Sequence, residues 1–280
     1  METSLSGQKT EVIIGGGRPT VLIGERINPT GKKELAAALD SGSMDIVKRE
    51  ALAQIEAGAQ VIDVNVGVAG LDEVKLLPQA VRAIMETVDV PLCLDSADPK
   101  ALEAALKICP GKPLINSVTA EKHSMETILP LVKEYKTAFI ALTMGDEGIP
   151  NNAEKRLELA KVLVERAGEM GIPREDIIID CLAQSVAVDG NAGLATIEAI
   201  RNIKDELGVN MTLGASNISF GLPERGFLTS VFLTLAISSG VTCPIVDASK
   251  VQKAVLAVDL LLGRDNFARR YIEGYRKSKQ

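Results

Sequence analysis

Tryptophan is absent from this 280-residue chain, and aromatic residues make up only 3% of it. Stacking platforms for single-stranded nucleic acid need aromatics at intervals, so that class is disfavoured. Histidine occurs once, at His123, which excludes multi-histidine metal centres. The four cysteines, Cys93, Cys109, Cys181 and Cys243, are widely spaced and form no C-x-x-C pair. They read as reduced thiols packed as small apolar side chains in a cytoplasmic protein. Excess positive charge is missing too: the net charge is -6 and the pI is near 5.1, so no global field gathers nucleic acid. No run of about 18 apolar residues is present to span a membrane. The opening METSLSGQKTEV lacks the basic and then apolar pattern of a signal peptide.

What is present is a soluble-protein composition, 46% hydrophobic and 24% charged, arranged in short repeats. Eight apolar runs recur: TVLIGERIN (20–28), QVIDVNVG (60–67), VPLCLDS (90–96), PLINSV (113–118), TAFIALTMG (137–145), DIIIDCLA (176–183), MTLGASNIS (211–219) and CPIVDAS (243–249). They are rich in Val, Ile and Leu and too short for most helices, as strands buried on both faces of a parallel sheet are. Helical periodicity fills the gaps. In NNAEKRLELAKVLVERAGEMGIP, Asn151 is the expected N-cap with Glu154 three residues on. Leu157, Ala160, Val164 and Ala167 follow, and Gly171 and Pro173 stop the helix. Asp98-Pro99 opens another helix, with Asp as cap and Pro at the first position.

Eight βα units without a linker predict an α/β fold of the (β/α)8 TIM-barrel type, one domain over 1–280. An open doubly-wound sheet is the competitor, but it usually carries a Gly-rich fingerprint after its first strand, and GERINPTG is not one. Gly15-Gly16-Gly17, between VII and TVLI, is expected to be the turn of an N-terminal hairpin capping the barrel floor.

In such barrels the site lies at the carboxyl ends of the strands. Those ends carry Glu25, Arg26 and Asn28; Asp63 and Asn65; Asp95 and Ser96; Asn116 and Ser117; Thr143 and Met144; Asp180; Ser216 and Asn217; and Asp247. Carboxylates and carboxamides dominate. A carboxylate makes two parallel hydrogen bonds to a 2-amino-pyrimidinone edge, as it does to arginine. The set is poor for phosphate, which favours helix N-termini, Lys or Arg. A lone strand-end Asp is often only a cap, and an acidic rim is open to a divalent cation. Asp95, Asn116 and Asp180 on three strands argue for a flat heterocycle with amide and amine edges. Glu25 and Arg26 read as an ion pair on the rim, with Asn28 lining the pocket.

GERIN-x-T-G, DVNVG, LCLDS, INS, IDCL and SNIS, in that order, resemble the pterin-binding tetrahydrofolate:corrinoid-protein methyltransferases, relatives of the folate domain of cobalamin-dependent methionine synthase. The resemblance runs from about Val21 to about Asp247. Each motif alone is weak; six in register are specific. The resemblance implies a barrel that holds tetrahydrofolate or methyltetrahydrofolate as substrate and exchanges a methyl group with a corrinoid (cobalamin). By motif position, Asp95, Asn116 and Asp180 become pterin ligands, Arg225 in GLPERG matches a family arginine, and Asn217 becomes the carboxamide beside the methyl-bearing nitrogen. No metal-ligand set accompanies them. The family also implies a homodimer, which the apolar stretch 227–240 supports only weakly, since it reads equally as the seventh barrel helix.

A tertiary amine leaves poorly unless it gains a hydrogen bond or proton, and a carboxamide that turns toward it supplies that in the transition state. Dihydropteroate synthase is the alternative in the same fold family. Its first-strand loop and seventh-strand lysine are not matched by Asn28-Pro29-Thr30-Gly31-Lys32-Lys33 or by TLGASNISFGLPERG. A non-catalytic folate-binding or corrinoid-docking protein is the other alternative. The D-x-H-x-x-G pattern of base-off cobalamin modules is missing around His123, so cobalamin is expected on a separate corrinoid protein. The expected direction is from methylcorrinoid to tetrahydrofolate, with methyl groups drawn from methoxylated aromatics or methylamines.

Overall fold

Successive residues of a strand face opposite ways, so each of the eight runs must supply two faces. A computed structural model, described over residues 1–277, shows how they do so. The strands are β1 (Glu2–Ser6), β2 (Glu11–Gly15), β3 (Ile23–Ile27), β4 (Val61–Asn65), β5 (Leu92–Asp95), β6 (Leu114–Thr119), β7 (Ala138–Leu142), β8 (Ile177–Asp180), β9 (Asn210–Thr212) and β10 (Ile245–Val246). The helices are α1 (Lys33–Asp40), α2 (Asp45–Glu56), α3 (Glu73–Met85), α4 (Pro99–Leu106), α5 (Lys122–Tyr135), α6 (Ala153–Glu169), α7 (Ala192–Leu207), α8 (Arg225–Ser239), α9 (Ala248–Leu261) and α10 (Arg269–Lys277). Each of the eight expected runs overlaps a strand. They pair in parallel in the order β10-β3-β4-β5-β6-β7-β8-β9, and a parallel bridge between Gly214 and Ile245 closes the seam. The result is a (β/α)8 barrel with an N-terminal hairpin. No helix among the described residues is long and apolar enough to cross a membrane.

Outward positions such as Ile62, Val64, Leu94, Ile115, Phe139 and Ile179 pack against the helices. Inward positions form a second core from Ile23, Val61, Cys93, Leu114, Ala138, Ile140, Ile178 and Ile245. Two residues further along, the same inward register reaches Glu25, Asp63, Asp95, Asn116, Asp180 and Asp247. The barrel interior is therefore an apolar plug below a polar layer, and that layer is the mouth.

The hairpin seals the opposite end. Leu5, Val12 and Ile14 join the inward core, and Ser6 and Lys112 exchange backbone bonds of 3.0 and 3.1 Å. The glycine triplet is not its turn, contrary to expectation. The turn is Gly7–Thr10, closed by Gly7 N–H to Thr10 O at 2.8 Å and by Asp89, whose carboxylate accepts from the N–H groups of Gln8 and Lys9. Gly15, Gly16 and Gly17 instead carry the chain from β2 toward β3, all with positive φ. A Cβ on Gly15 would lie 2.2 Å from Asn210 Oδ1, so close approach demands glycine there as well.

Helix starts follow the expected chemistry with one shift. Asp98 accepts from Lys100 N–H, with Pro99 at the first helical position of α4. In α6 the cap is Asn152, not Asn151: its side chain accepts from Lys155 N–H at 2.8 Å, the third helical position. The stretch 227–240 is the seventh barrel helix, α8. The four cysteines are free thiols, and burial pushes Cys109 and Cys243 up to about 12.

Candidate active site

The polar layer has two halves. On β4, β5 and β6, Asn65 Nδ2 donates to Asp95 Oδ2 at 2.9 Å and Asn116 Nδ2 donates to Asp63 Oδ1 at 3.1 Å. Asp95 and Asn116 are direct register partners. Burial pushes the Asp95 carboxyl up to about 6 against the opposing bond from Asn65. Asp63 is fully enclosed, and burial together with the Asp95 charge raises it well above the ordinary carboxylate value. Behind them Ser96 Oγ donates to Glu73 Oε2 at 2.6 Å.

The second half lies on β8 and the turn after β9. Burial pushes Asp180 up to about 7, although the N–H groups of Leu182 and Gly214 and the Arg156 charge work the other way. Leu182 N–H reaches Asp180 Oδ1 at 2.6 Å because Leu182 takes the left-handed conformation, φ 58°, unusual for a branched residue. Arg156, wholly buried on α6, holds that bend: its Nη1 donates to the carbonyls of Cys181 and Leu182 and to Thr196 Oγ1, each at 3.0 Å, and its Nη2 to Gln184 Oε1 at 3.1 Å.

Asn217 is not on a strand. After β9 the chain makes a 3-10 turn, Ala215–Ser219, and Asn217 stands exposed in it. Its Nδ2 lies over Gly214, where a Cβ would approach to 3.1 Å, so Asp180, Gly214 and Asn217 form one contiguous group. Arg225, the first residue of α8, pins the turn: Nη2 donates to Ser216 O at 3.0 Å and Nε to Ser219 Oγ at 3.4 Å, with the guanidinium 5.6 Å from the Phe220 ring. No hydrogen bond links this half to the Asp95–Asn116 half among the described residues.

A cavity of about 420 Å³ opens beside Asn217, lined also by Glu25, Asn28, Ser216, Asp247 and the cations Arg26, Lys32, Arg225 and Lys250. Glu25 faces into it and hydrogen-bonds with Ser216; burial pushes its carboxyl up to about 6, with Asp247 adding to the rise and Lys32 and Lys250 opposing it. The expected Glu25–Arg26 ion pair does not form. The two are strand neighbours and point apart: Arg26 reaches Glu50 on α2 at 3.0 Å and Asp247 at 3.6 Å. Asn28 lines the cavity as expected, its Oδ1 accepting from Thr30 N–H at 3.0 Å.

Lys32 and Arg156 escaped the sequence reading. Lys32 lies four residues past the strand run, and Arg156 is one of several charges in α6; nothing local marks either as facing the mouth. The site so assembled can hold a flat ring with amide and amine edges, hold or release a proton at Glu25, and present a carboxamide at Asn217.

Comparison with known proteins fits this arrangement. The sequence profile of the pterin binding enzymes matches residues 24–247, the whole barrel from β3 to β10. A methylcorrinoid:tetrahydrofolate methyltransferase of Eubacterium limosum is 35% identical over 92% of this chain and 97% of its own length. The methionine synthase of Mycobacterium tuberculosis is 33% identical over 89% of this chain, which spans 22% of that longer protein. Among solved structures, the Yersinia pestis dihydropteroate synthase with a pterine–sulfa conjugate superposes with a TM-score of 0.70 at 15% identity, covering 93% of this chain and 99% of that one. The Clostridium difficile dihydropteroate synthase with pteroic acid gives 0.67 at 20% identity, covering 88% and 97%. The synthases share the fold, whereas sequence identity lies with the methyltransferases, so the synthase alternative is the weaker. By its profile, its barrel and its identity to these enzymes, the chain belongs to the family of pterin binding enzymes.

Proposed function

We propose that this protein is an enzyme that transfers a methyl group from a methylated corrinoid protein to tetrahydrofolate. The observation that carries the reading is Asn217, presented at the mouth over Gly214, whose N–H bonds the buried Asp180 carboxyl, in a chain that matches a methylcorrinoid:tetrahydrofolate methyltransferase along 97% of that enzyme. Asp95, Asn116 and Asp180 bind the pterin through its amide and amine edge; the Asp95 and Asp180 carboxyls, both raised by burial, gain stabilisation from the N–H groups of that edge. Holding the ring fixed provides the positional part of catalysis. Asn217 orients the lone pair of the reacting nitrogen, and Arg225 keeps the Asn217 turn in place. Attack by that nitrogen releases its proton, which ionised Glu25 accepts. The corrinoid, carried by the partner, supplies the cobalt from which the methyl comes.

The partner docks over the strand ends, where Phe220 stands exposed on the cavity wall and Val188 is exposed between β8 and α7. A second copy of the chain completes a homodimer through α8. Buried free thiols fit a reducing compartment, the cytoplasm, and the methyl groups come from the demethylation of methoxylated aromatics or methylamines. The test is a spectral assay: methylcobalamin with tetrahydrofolate, and cob(I)alamin with methyltetrahydrofolate, each followed with the purified protein. Turnover is expected in both directions. Tight folate binding without turnover in either would leave a folate-binding protein and overturn the enzyme.

A further inference from the structure

The amide and amine edge of a pterin and its side arm lie at opposite ends of the bicycle. With the edge on β5, β6 and β8 and the reacting nitrogen at Asn217, the arm leaves toward β10 and β3. There the rim turns cationic, although the protein as a whole carries a net charge of -6. Arg26 and Lys32 line both the first cavity and a second cleft of about 420 Å³ that continues between α1 and α2, with Lys33 and Arg49 on its walls.

These cations are not equally committed. Arg26 pairs with Glu50 and Asp247, and Arg49 approaches Glu50 at 3.6 Å. Lys32 is half-buried and donates to the Arg26 carbonyl at 2.7 Å, yet no carboxylate is within ion-pair distance of it among the described residues. Burial lowers its pKa from the ordinary lysine value, as expected for an ammonium short of a counter-ion. The turn that presents it is fixed: Thr30 N–H bonds Asn28 Oδ1 at 3.0 Å and Lys32 N–H bonds Pro29 O at 2.9 Å. Lys33 is exposed and has no ion pair among the described residues.

We propose that the cleft at Lys32, Lys33 and Arg49 is a subsite for the anionic glutamyl tail of the folate, and that it favours folates with several γ-linked glutamates over the monoglutamate. The inference rests on the pterin reading above. Each added glutamate brings one carboxylate, and the cleft is continuous, through Arg26 and Lys32, with the cavity beside Asn217.

The test compares KM for tetrahydrofolate with one and with three glutamates in the wild type, in Lys32→Ala and in the Lys33→Ala/Arg49→Ala double variant. Lys107→Ala, the same loss of charge at the far end of α4, is the control. The triglutamate is expected to have a KM about 3- to 10-fold lower in the wild type, from pairs each worth a factor of about 1.5 to 5. That ratio should fall toward one in both cleft variants and in high salt, and persist in Lys107→Ala. Equal KM values in the wild type would overturn the inference. So would variants that weaken only the corrinoid protein, since the cations would then belong to that partner's dock. Failure to bind or turn over either folate would instead remove the pterin reading beneath it.

Discussion

Glu25 and Arg26 show how one step along a strand changes a residue's chemistry. Arg26 faces α2, and its guanidinium is held charged by Glu50. Glu25 faces the mouth beside Ser216, and burial pushes its carboxyl up to about 6. If ionised Glu25 accepts the proton released when tetrahydrofolate is methylated, the rate at saturating folate should fall below about pH 6. In the reverse direction protonated Glu25 donates, so the rate should fall above it. Glu25→Gln should remove that limb in both directions; an unchanged profile would discharge Glu25 from the reaction. Asn217→Ala should raise the barrier by about 2–4 kcal/mol, the scale of one preorganised donor, read as a loss in kcat larger than the change in folate affinity. Asp180 links the site to stability. Its folded pKa, about 7, lies above the ordinary carboxylate value, so between those values the folded state binds more protons than the unfolded state. The Asp180 contribution to the stability of the ligand-free protein therefore declines as pH rises from about 4 to 7. In Asp180→Asn the decline between pH 5 and 8 should be shallower by about 2–3 kcal/mol, as measured by urea unfolding, and pterin affinity should drop. A slope identical to that of the wild type would show that burial does not perturb this carboxyl.

At the scale of elements, the hairpin of β1 and β2 is structural support for the mouth, although it lies at the other end. Ile14 is fully buried in the apolar plug on which the polar layer rests. Ile14→Ala should destabilise the protein by about 2–5 kcal/mol, the range for core truncation to alanine, in denaturant titration; a change under 1 kcal/mol would mean that the plug closes over the gap. The eight barrel strands were legible because both their faces are buried, which leaves continuous Val, Ile and Leu runs. The Asp98-Pro99 start of α4 was legible because its cap is local. The hairpin turn was misplaced because Asp89, which closes it, lies about eighty residues away, while three glycines in a row imitate a turn. The expected Glu25–Arg26 pair failed because adjacency in sequence is opposition in a strand. Asp95, Asn116 and Asp180 were legible as strand ends. The bend that completes Asp180 was not, since it depends on Arg156 from another βα unit. Long-range partners leave no local pattern in the sequence.

At the scale of the whole molecule, α8 breaks the rule that an outer barrel helix turns a polar face to water. Phe227, Val231 and Leu235 recur every four residues on its outer side and are 72%, 44% and 52% exposed. Its inner side, Phe232, Leu233, Ala236 and Ile237, already fills the core, so the outer stripe has no role within the monomer. Single exposed apolar residues need no explanation, but an aligned stripe does. Helix α9, which packs beside α8, adds exposed Leu261 and Leu262. An isologous dimer, in which each copy offers the same stripe, would bury it with one symmetry axis. Light scattering should therefore give twice the mass of the 29.7 kDa chain. Phe227→Asp/Leu235→Lys should shift it to the monomer mass with the barrel's circular dichroism preserved, because neither side chain belongs to the core. A wild-type mass of one chain at micromolar concentration would return the stripe to the surface of a monomer.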